Sequence, residues 1–208
     1  MQKTIGVRPN PMKETREKQI KDAALKLFSE KGFHNTTMAE IALTAGLGKG
    51  TLYWYWKSKE ALAFSLVSDM LSAFLALIEE TGDCEGNVIK RLEMLAQKVA
   101  DLYQQEKEYC RLLLKFRADR HYTFNPNYIE KVMNYYVRMR SAIASLLEQG
   151  IKTGEFKKVD SQFMAFIILG VVEGLELEWL ENEEEFSMHK GLETVLAFAK
   201  MGLQKQNK

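Results

Sequence analysis

TMAEIALTAGLGKGTLYWYWKSK, Thr37 to Lys59, carries the clearest structural signals in the chain. Thr37 and Glu40 stand in the T-x-x-E spacing of a capping box, where each side chain satisfies a free amide at a helix start. A helix therefore begins at Thr37, with Ile41, Ala42 and Ala45 as its apolar face. Ala45, Gly46, Leu47 and Gly48 follow as a turn, in which glycine takes the positive φ that other residues resist. The next segment, Lys49 to Trp56, crowds Tyr53, Trp54, Tyr55 and Trp56 beside Lys49 and Thr51. It is too short, and too polar at its start, to form a core alone, so part of it must meet something outside the protein. Two short helices about a glycine turn make a helix-turn-helix, whose second helix enters the DNA major groove while the first crosses the phosphate backbone.

Working outward, Ile20, Ala23, Ala24, Leu27 and Phe28 recur at the i, i+3, i+4, i+7, i+8 spacing of an amphipathic helix, predicted over Glu14–Lys31 and ended by Gly32. Met1 to Lys13 holds Lys3, Arg8, Pro9 and Pro11 without periodicity and reads as a flexible basic arm. A solvated terminus is its plain reading and a reach into the minor groove the alternative. In the second helix of the motif, Leu52, Tyr55 and Trp56 share a face that packs inward, leaving Lys49, Gly50, Tyr53 and Trp54 turned outward. The competing reading makes Tyr53 and Trp54 core residues, but four successive aromatics cannot all face one small core. Charge divides the same way: residues 1–59 hold 11 Lys+Arg against 5 Asp+Glu, leaving 18 of the 29 basic and 23 of the 28 acidic residues for the remainder. One end suits phosphate and the other does not.

Ala24, Phe28, Gly32, Thr37, Ile41, Ala42, Ala45, Gly46, Lys49, Gly50, Leu52, Tyr53 and Lys59, taken together, closely resemble the N-terminal domain of the TetR family of bacterial transcriptional regulators. The resemblance covers roughly the first third of the chain. Departures are Trp56, where the family usually has Phe, Gly48, where Ser or Thr is usual, and Trp54, where the family varies. Gly48 brings no hydroxyl to cap the recognition helix. The resemblance implies DNA contacts at Thr36, Thr37, Lys49, Gly50, Thr51, Tyr53, Trp54 and Lys59. Tyr53 and Trp54 would touch phosphates or base edges, Gly50 would let the backbone approach closely, and Thr37 and Lys59 would hold the DNA backbone. Lys49 would read guanine or pair with phosphate.

With 208 residues, 46% hydrophobic and 27% charged, the chain is long and apolar enough to bury a core. Three prolines and the lack of alternating β-branched runs predict an all-α fold of about nine helices. Its parts are the arm at 1–13, a three-helix helix-turn-helix DNA-binding domain at 14–59, and a larger helical ligand-binding and dimerisation domain at 60–208. Ser58 caps a linking helix to about Glu80, His121 to Asn125 is read as a loop, Asn125-Pro126 starts a helix that Gly154 stops, and the last helix spans Met188 to about Gln204. Cys84 and Cys110 lack metal-ligand spacing and are expected as inert thiols. With no signal sequence and a longest apolar run of Phe163–Val172, about half of the ~20 residues a membrane span needs, the chain is expected to be cytoplasmic.

The helix expected from Asp160 or Ser161 to about Glu181 is apolar all round and must be covered all round. Phe163, Ile167, Gly170, Gly174 and Leu177 form the expected dimer face, joined by Leu192, Leu196 and Ala199 of the last helix. A central core helix in a monomer is the alternative. Dimerisation through the last two long helices is what the TetR resemblance implies, together with a double-stranded operator, a small-molecule effector and no cofactor or metal. Tyr103, Tyr109, Leu113, Phe116, Arg117, Tyr136, Met139, Phe166 and Glu173 are the candidate effector contacts, large and mostly apolar, with Arg117 and Glu173 available for polar groups. An enzyme is the rival class, but no serine elbow, HExxH or Cys-His arrangement supports catalysis, and the glycines after Ala45 lack phosphate-loop spacing. A helical protein-interaction adaptor would leave the basic end and its outward aromatics unexplained. Activation in place of repression stays open, since the sign depends on where the operator sits.

Overall fold

A computed structural model of the chain describes residues 11–204, apart from the side chains of Pro11, Met12 and residues 119–123. Most of the expected basic arm lies outside these residues. Nine helices and no strand occur among the described residues, as expected. They fall into two compact units, one ending at Leu66 and the other beginning at Val67.

The first unit contains α1 (Pro11–Asn35), α2 (Met38–Thr44), α3 (Lys49–Tyr55) and the start of α4 (Lys59–Asp83). Helical geometry in α1 breaks at Gly32, where the sequence placed its end. The capping box is present: the Thr37 hydroxyl accepts from the Glu40 amide at 3.2 Å and Glu40 accepts from the Thr37 amide at 2.8 Å. Gly46 turns the chain between α2 and α3 at φ 67°, a conformation any side chain would strain. Ile20, Ala24, Phe28, Ile41 and Leu52 are fully buried and form the centre of this small core.

The second unit holds the rest of α4, then α5 (Val88–Gln105), α6 (Lys107–Thr123), α7 (Pro126–Thr153), α8 (Ser161–Glu181) and α9 (Met188–Leu203). Within this unit α5 packs along α9 and α7 along α8. Their ends are tied by side chains. Arg91 is buried and donates to the carbonyls of Thr81 and Gly82, closing the C-terminus of α4, while Glu155 accepts from the Val88 and Ile89 amides at the start of α5. Asn87, Asn125, Asp160 and Ser187 cap the N-termini of α5, α7, α8 and α9. Gly154 ends α7 in the left-handed conformation at φ 81°.

One expectation is corrected. Residues 121–123, read as loop, continue α6, because no glycine or proline interrupts the chain until the restriction that Pro126 places on Asn125. The most apolar long segment lies in α4, whose best 18-residue window has mean hydropathy 2.0, enough by length and composition to cross a membrane. Half of that window is buried, and Leu62, Leu66, Leu71 and Leu75 point into cores.

Gly150 in α7 faces the ring of Phe156, and a β-carbon there would overlap the ring. Gly150→Ala should therefore lower the unfolding free energy by about 1–3 kcal/mol, despite alanine's better helix propensity of about 1 kcal/mol. Urea titration followed by circular dichroism would read the loss; an unchanged midpoint would show that Phe156 moves freely.

Candidate nucleic-acid interface and ligand cavity

α3 is short, amphipathic and fastened from beneath. Leu52 is buried, and Tyr55 and Trp56 are half-buried with stacked rings 5.8 Å apart. The opposite face presents Lys49, Gly50, Tyr53 and Trp54 to solvent, with Tyr53 39% and Trp54 64% exposed. Keeping two large aromatics in water forgoes apolar burial, which argues that a partner covers them. Lys49 lies 6.0 Å from the Tyr53 ring centroid, and Lys13 lies 5.7 Å from that of Trp54. Thr51 is half-buried on the flank of the helix. Gly48 occupies the N-cap with no side-chain bond, leaving the first amides of α3 uncapped by protein side chains.

Thr37 is exposed, with its hydroxyl engaged in the capping box. Its partner Glu40 is held down to about pH 2 by the Lys31 ammonium first, at 2.9 Å, and by the Thr37 amide and hydroxyl. Two expected DNA contacts point inward. Thr36 is 1% exposed, with its hydroxyl at 2.9 Å from the Gly32 carbonyl and 3.2 Å from that of Leu27. Lys59 donates to the carbonyls of Phe33 at 2.5 Å, Thr36 at 2.7 Å and His34 at 3.2 Å, and lies 4.4 Å from the Phe33 ring centroid. All three ammonium protons are thus engaged, and burial lowers its pKa. Both residues hold the end of α1 beyond the break at Gly32, a role that spacing cannot distinguish from phosphate contact. Lys59→Ala should lower the thermal midpoint of the protein while leaving the slope of log affinity against log salt for DNA unchanged. A phosphate-bound lysine would instead reduce that slope by about one.

In the second unit, α4 to α9 line a partly open cavity of about 160 Å³. Leu71, Phe74, Leu95, Ile143, Val172 and Val195 are typical of its apolar walls. Its polar end is made by Tyr103, Arg117, Tyr136, Glu173 and Glu176. Arg117 donates to Glu173 at 3.0 Å, to Glu176 in close contact and to the Tyr136 hydroxyl at 3.4 Å. Burial raises the pKa of Glu176, with Arg117 opposing it, and pushes the Tyr136 phenol up to about 12. Burial works against the Arg117 charge, but Glu176, Tyr136 and Glu173 outweigh it and hold the proton on. Buried Cys110, a free thiol, has its pKa raised by burial first, which disfavours the reactive thiolate.

Six of the nine expected pocket residues line this cavity: Tyr103, Leu113, Arg117, Tyr136, Met139 and Glu173. Three do not. Phe116 is buried against Phe124, with ring centroids 4.3 Å apart, Tyr109 is half-buried elsewhere on α6, and Phe166 is 57% exposed under the Arg140 guanidinium. Helical period places Phe166 on the outer side of α8 with Phe163, Ile167, Val171 and Leu177, all exposed. Gly170 and Gly174 share that side, and a β-carbon at either would meet nothing within 4 Å. Leu192, Leu196 and Ala199, expected at the dimer face, line the cavity instead, because α9 turns its continuous apolar strip inward. The outward strip of α9 carries Phe198 and Met201, each 79% exposed. Sequence reasoning also missed Glu176, although a second glutamate one residue after the Gly174–Leu175 pair in an apolar helix was a usable signal.

Residues 20–66 match the family described as bacterial regulatory proteins, tetR family, and residues 85–188 match the tetracyclin repressor-like C-terminal domain. The fatty acid metabolism regulator protein of Bacillus subtilis is 25% identical over 181 residues, covering 85% of this chain and 91% of the relative. The transcriptional regulator RutR of Escherichia coli is 26% identical over 169 residues, covering 80% and 76%. The crystal structure of FadR from Bacillus subtilis in complex with stearoyl-CoA superposes with TM-score 0.73 at 23% identity, covering 87% of this chain and 96% of that one, a likeness of fold. A helix-turn-helix end and a hollow helical unit, matched in turn by the two halves of one family, place this chain in the TetR family of DNA-binding bacterial transcriptional regulators.

Proposed function

We propose that the protein is a homodimeric repressor that binds a palindromic operator and is released by a small apolar or amphipathic effector. Residues 14–59 read DNA, and residues 60–208 bind the effector and dimerise. The observation that carries this reading is the apolar cavity in a chain whose α3 exposes Lys49, Tyr53 and Trp54. The relatives named for fatty acid metabolism support an effector with an acyl chain. At about 160 Å³ the cavity is smaller than the ~300–1,000 Å³ of an ordinary small-molecule site, so such a ligand must push the helices apart. A ligand that binds the expanded state better shifts the population toward it, and α4, which contributes to both units, is the covalent path to the DNA-binding end. A reader of chromosomal DNA works in the cytoplasm.

The dimer face is the outer side of α8 with Phe198 and Met201 of α9. Glycine costs about 1 kcal/mol in a helix interior, and nothing among the described residues requires Gly170 or Gly174 to lack a side chain. Close approach of a partner backbone gives both a reason.

Binding of the purified protein to DNA upstream of its own gene, measured at several salt concentrations, tests the reading. Wild type should bind saturably and above random DNA, with affinity falling steeply in salt. Lys49→Ala with Tyr53→Ala should lose roughly a hundredfold, from contacts worth about 1–3 kcal/mol each. Unchanged affinity in that variant would remove α3 as the reading helix.

A further inference from the structure

Resting on the reading of the cavity as an effector site, we propose that its buried polar end takes a hydrogen-bond donor from the ligand, an N–H or O–H group on an apolar body, and selects against a free carboxylate. Among the described residues Arg117 is the only cationic side chain on the cavity wall, and it is already matched by two carboxylates, Glu173 at 3.0 Å and Glu176 in close contact. A ligand carboxylate would add a third anion beside one guanidinium, in surroundings where burial strengthens every like-charge repulsion.

The second observation is an orphan. Glu176 is 1% exposed, its Oε2 is held by Arg117, and its Oε1 is buried with no hydrogen-bond partner among the described residues. A carboxylate oxygen can only accept, and a buried acceptor left unmade costs the desolvation of that group. Neither the Tyr136 hydroxyl, which accepts from Arg117 at 3.4 Å, nor that of Tyr103 bonds this oxygen, and no lysine or histidine among the described residues lines the cavity. The missing donor must come from what enters. The same acyl chain therefore fits as an amide, amine or alcohol and is disfavoured as a free acid. An apolar pocket alone would disfavour every polar head, the carboxylate most, and its preference would not respond to a change at Glu176, while a pocket built around an unpaired arginine would prefer the carboxylate.

The test uses the full-length protein and four ligands of one chain length, decanamide, decylamine, 1-decanol and decanoate, with direct binding read by calorimetry in the absence of DNA. Decanamide should bind at least about tenfold more tightly than decanoate, a difference of about 1.4 kcal/mol. Glu176→Gln removes one anion and supplies an amide N–H in nearly the same volume, so the preference should move toward decanoate by at least about tenfold. Circular dichroism melts check that the variant folds. Should Glu176→Gln fail to fold, Glu173→Gln, at a side chain 39% exposed, should move the preference the same way. Decanoate binding as tightly as decanamide to wild type, a preference unmoved in a folded variant, or binding by none of the four overturns the proposal. Release from operator DNA is measured separately. A ligand that binds with the expected preference and leaves DNA occupancy unchanged would sink the effector reading and leave the donor preference standing.

Discussion

Arg117→Ala lowers the unfolding free energy by about 3–5 kcal/mol, the cost of breaking a buried ion pair from one side. The expectation rests on geometry. The Arg117 side chain is 14% exposed and that of Glu176 1%, so removing the guanidinium strands a carboxylate that water reaches poorly. Exposed pairs behave differently: Arg138 with Glu79, at 59% and 47%, should contribute no more than about 1 kcal/mol. The deficit in Arg117→Ala should depend on pH. Burial raises the folded-state pKa of Glu176 above its ordinary 4.5, and without Arg117 nothing opposes the rise. A carboxyl with a raised folded pKa binds its proton more readily folded than unfolded. The loss is therefore largest above the folded pKa and shrinks as pH falls toward 4.5. Chemical denaturation at neutral pH and near pH 5 measures both parts. The double change Arg117→Met with Glu176→Leu should recover most of the stability, since it leaves no buried charge unpaired. A single variant that loses less than about 1 kcal/mol would mean that the pair is solvated.

If the proposed dimer face is right, Ile167→Glu should abolish dimerisation and with it most of the affinity for DNA. Ile167 is 45% exposed at the middle of the outer side of α8, among Phe163, Phe166 and Val171. A glutamate there stays in water in the lone protomer, so its folding stability changes little, by about 0.5 kcal/mol. In the proposed dimer the two-fold symmetry buries the same carboxylate twice, once from each protomer, without a partner charge. Light scattering should report half the wild-type mass. A dimer spanning half-sites about one helical turn apart gains from the second contact an enhancement of roughly 10²–10⁴, which the monomer forfeits. Dimeric Ile167→Glu, or a monomer with undiminished operator affinity, would remove this face from the interface.

The local signals were the legible ones. Thr37 with Glu40, Gly46, Asn125-Pro126 and Gly154 each act within a few residues of chain, and the capping box, the turn, the start of α7 and its left-handed stop follow from backbone chemistry that needs no distant partner. The inward and outward faces of α3 were legible for the same reason, since helical period alone separates Leu52 from Tyr53 and Trp54. Lys59 shows the boundary of that method. Its charge and position suit a phosphate, but three carbonyls more than twenty residues earlier in the chain take its protons.

By itself, the sequence determined the all-α class, the helix-turn-helix and the division into a basic reading end and an apolar remainder, because periodicity, caps and charge are properties of neighbouring residues. Tertiary structure decided which apolar strip of each helix faces what. α8 is apolar all round, and α9 carries two strips, so composition could not say that Leu192, Leu196 and Ala199 face the cavity while Phe198 and Met201 remain outside. It also decided that Arg117 meets Glu173 and Glu176, some sixty residues away, and leaves one Glu176 oxygen unpartnered among the described residues. Such pairings are set by how helices rotate and pack about a shared core, and a wheel drawn for one helix contains neither the rotation nor the neighbour.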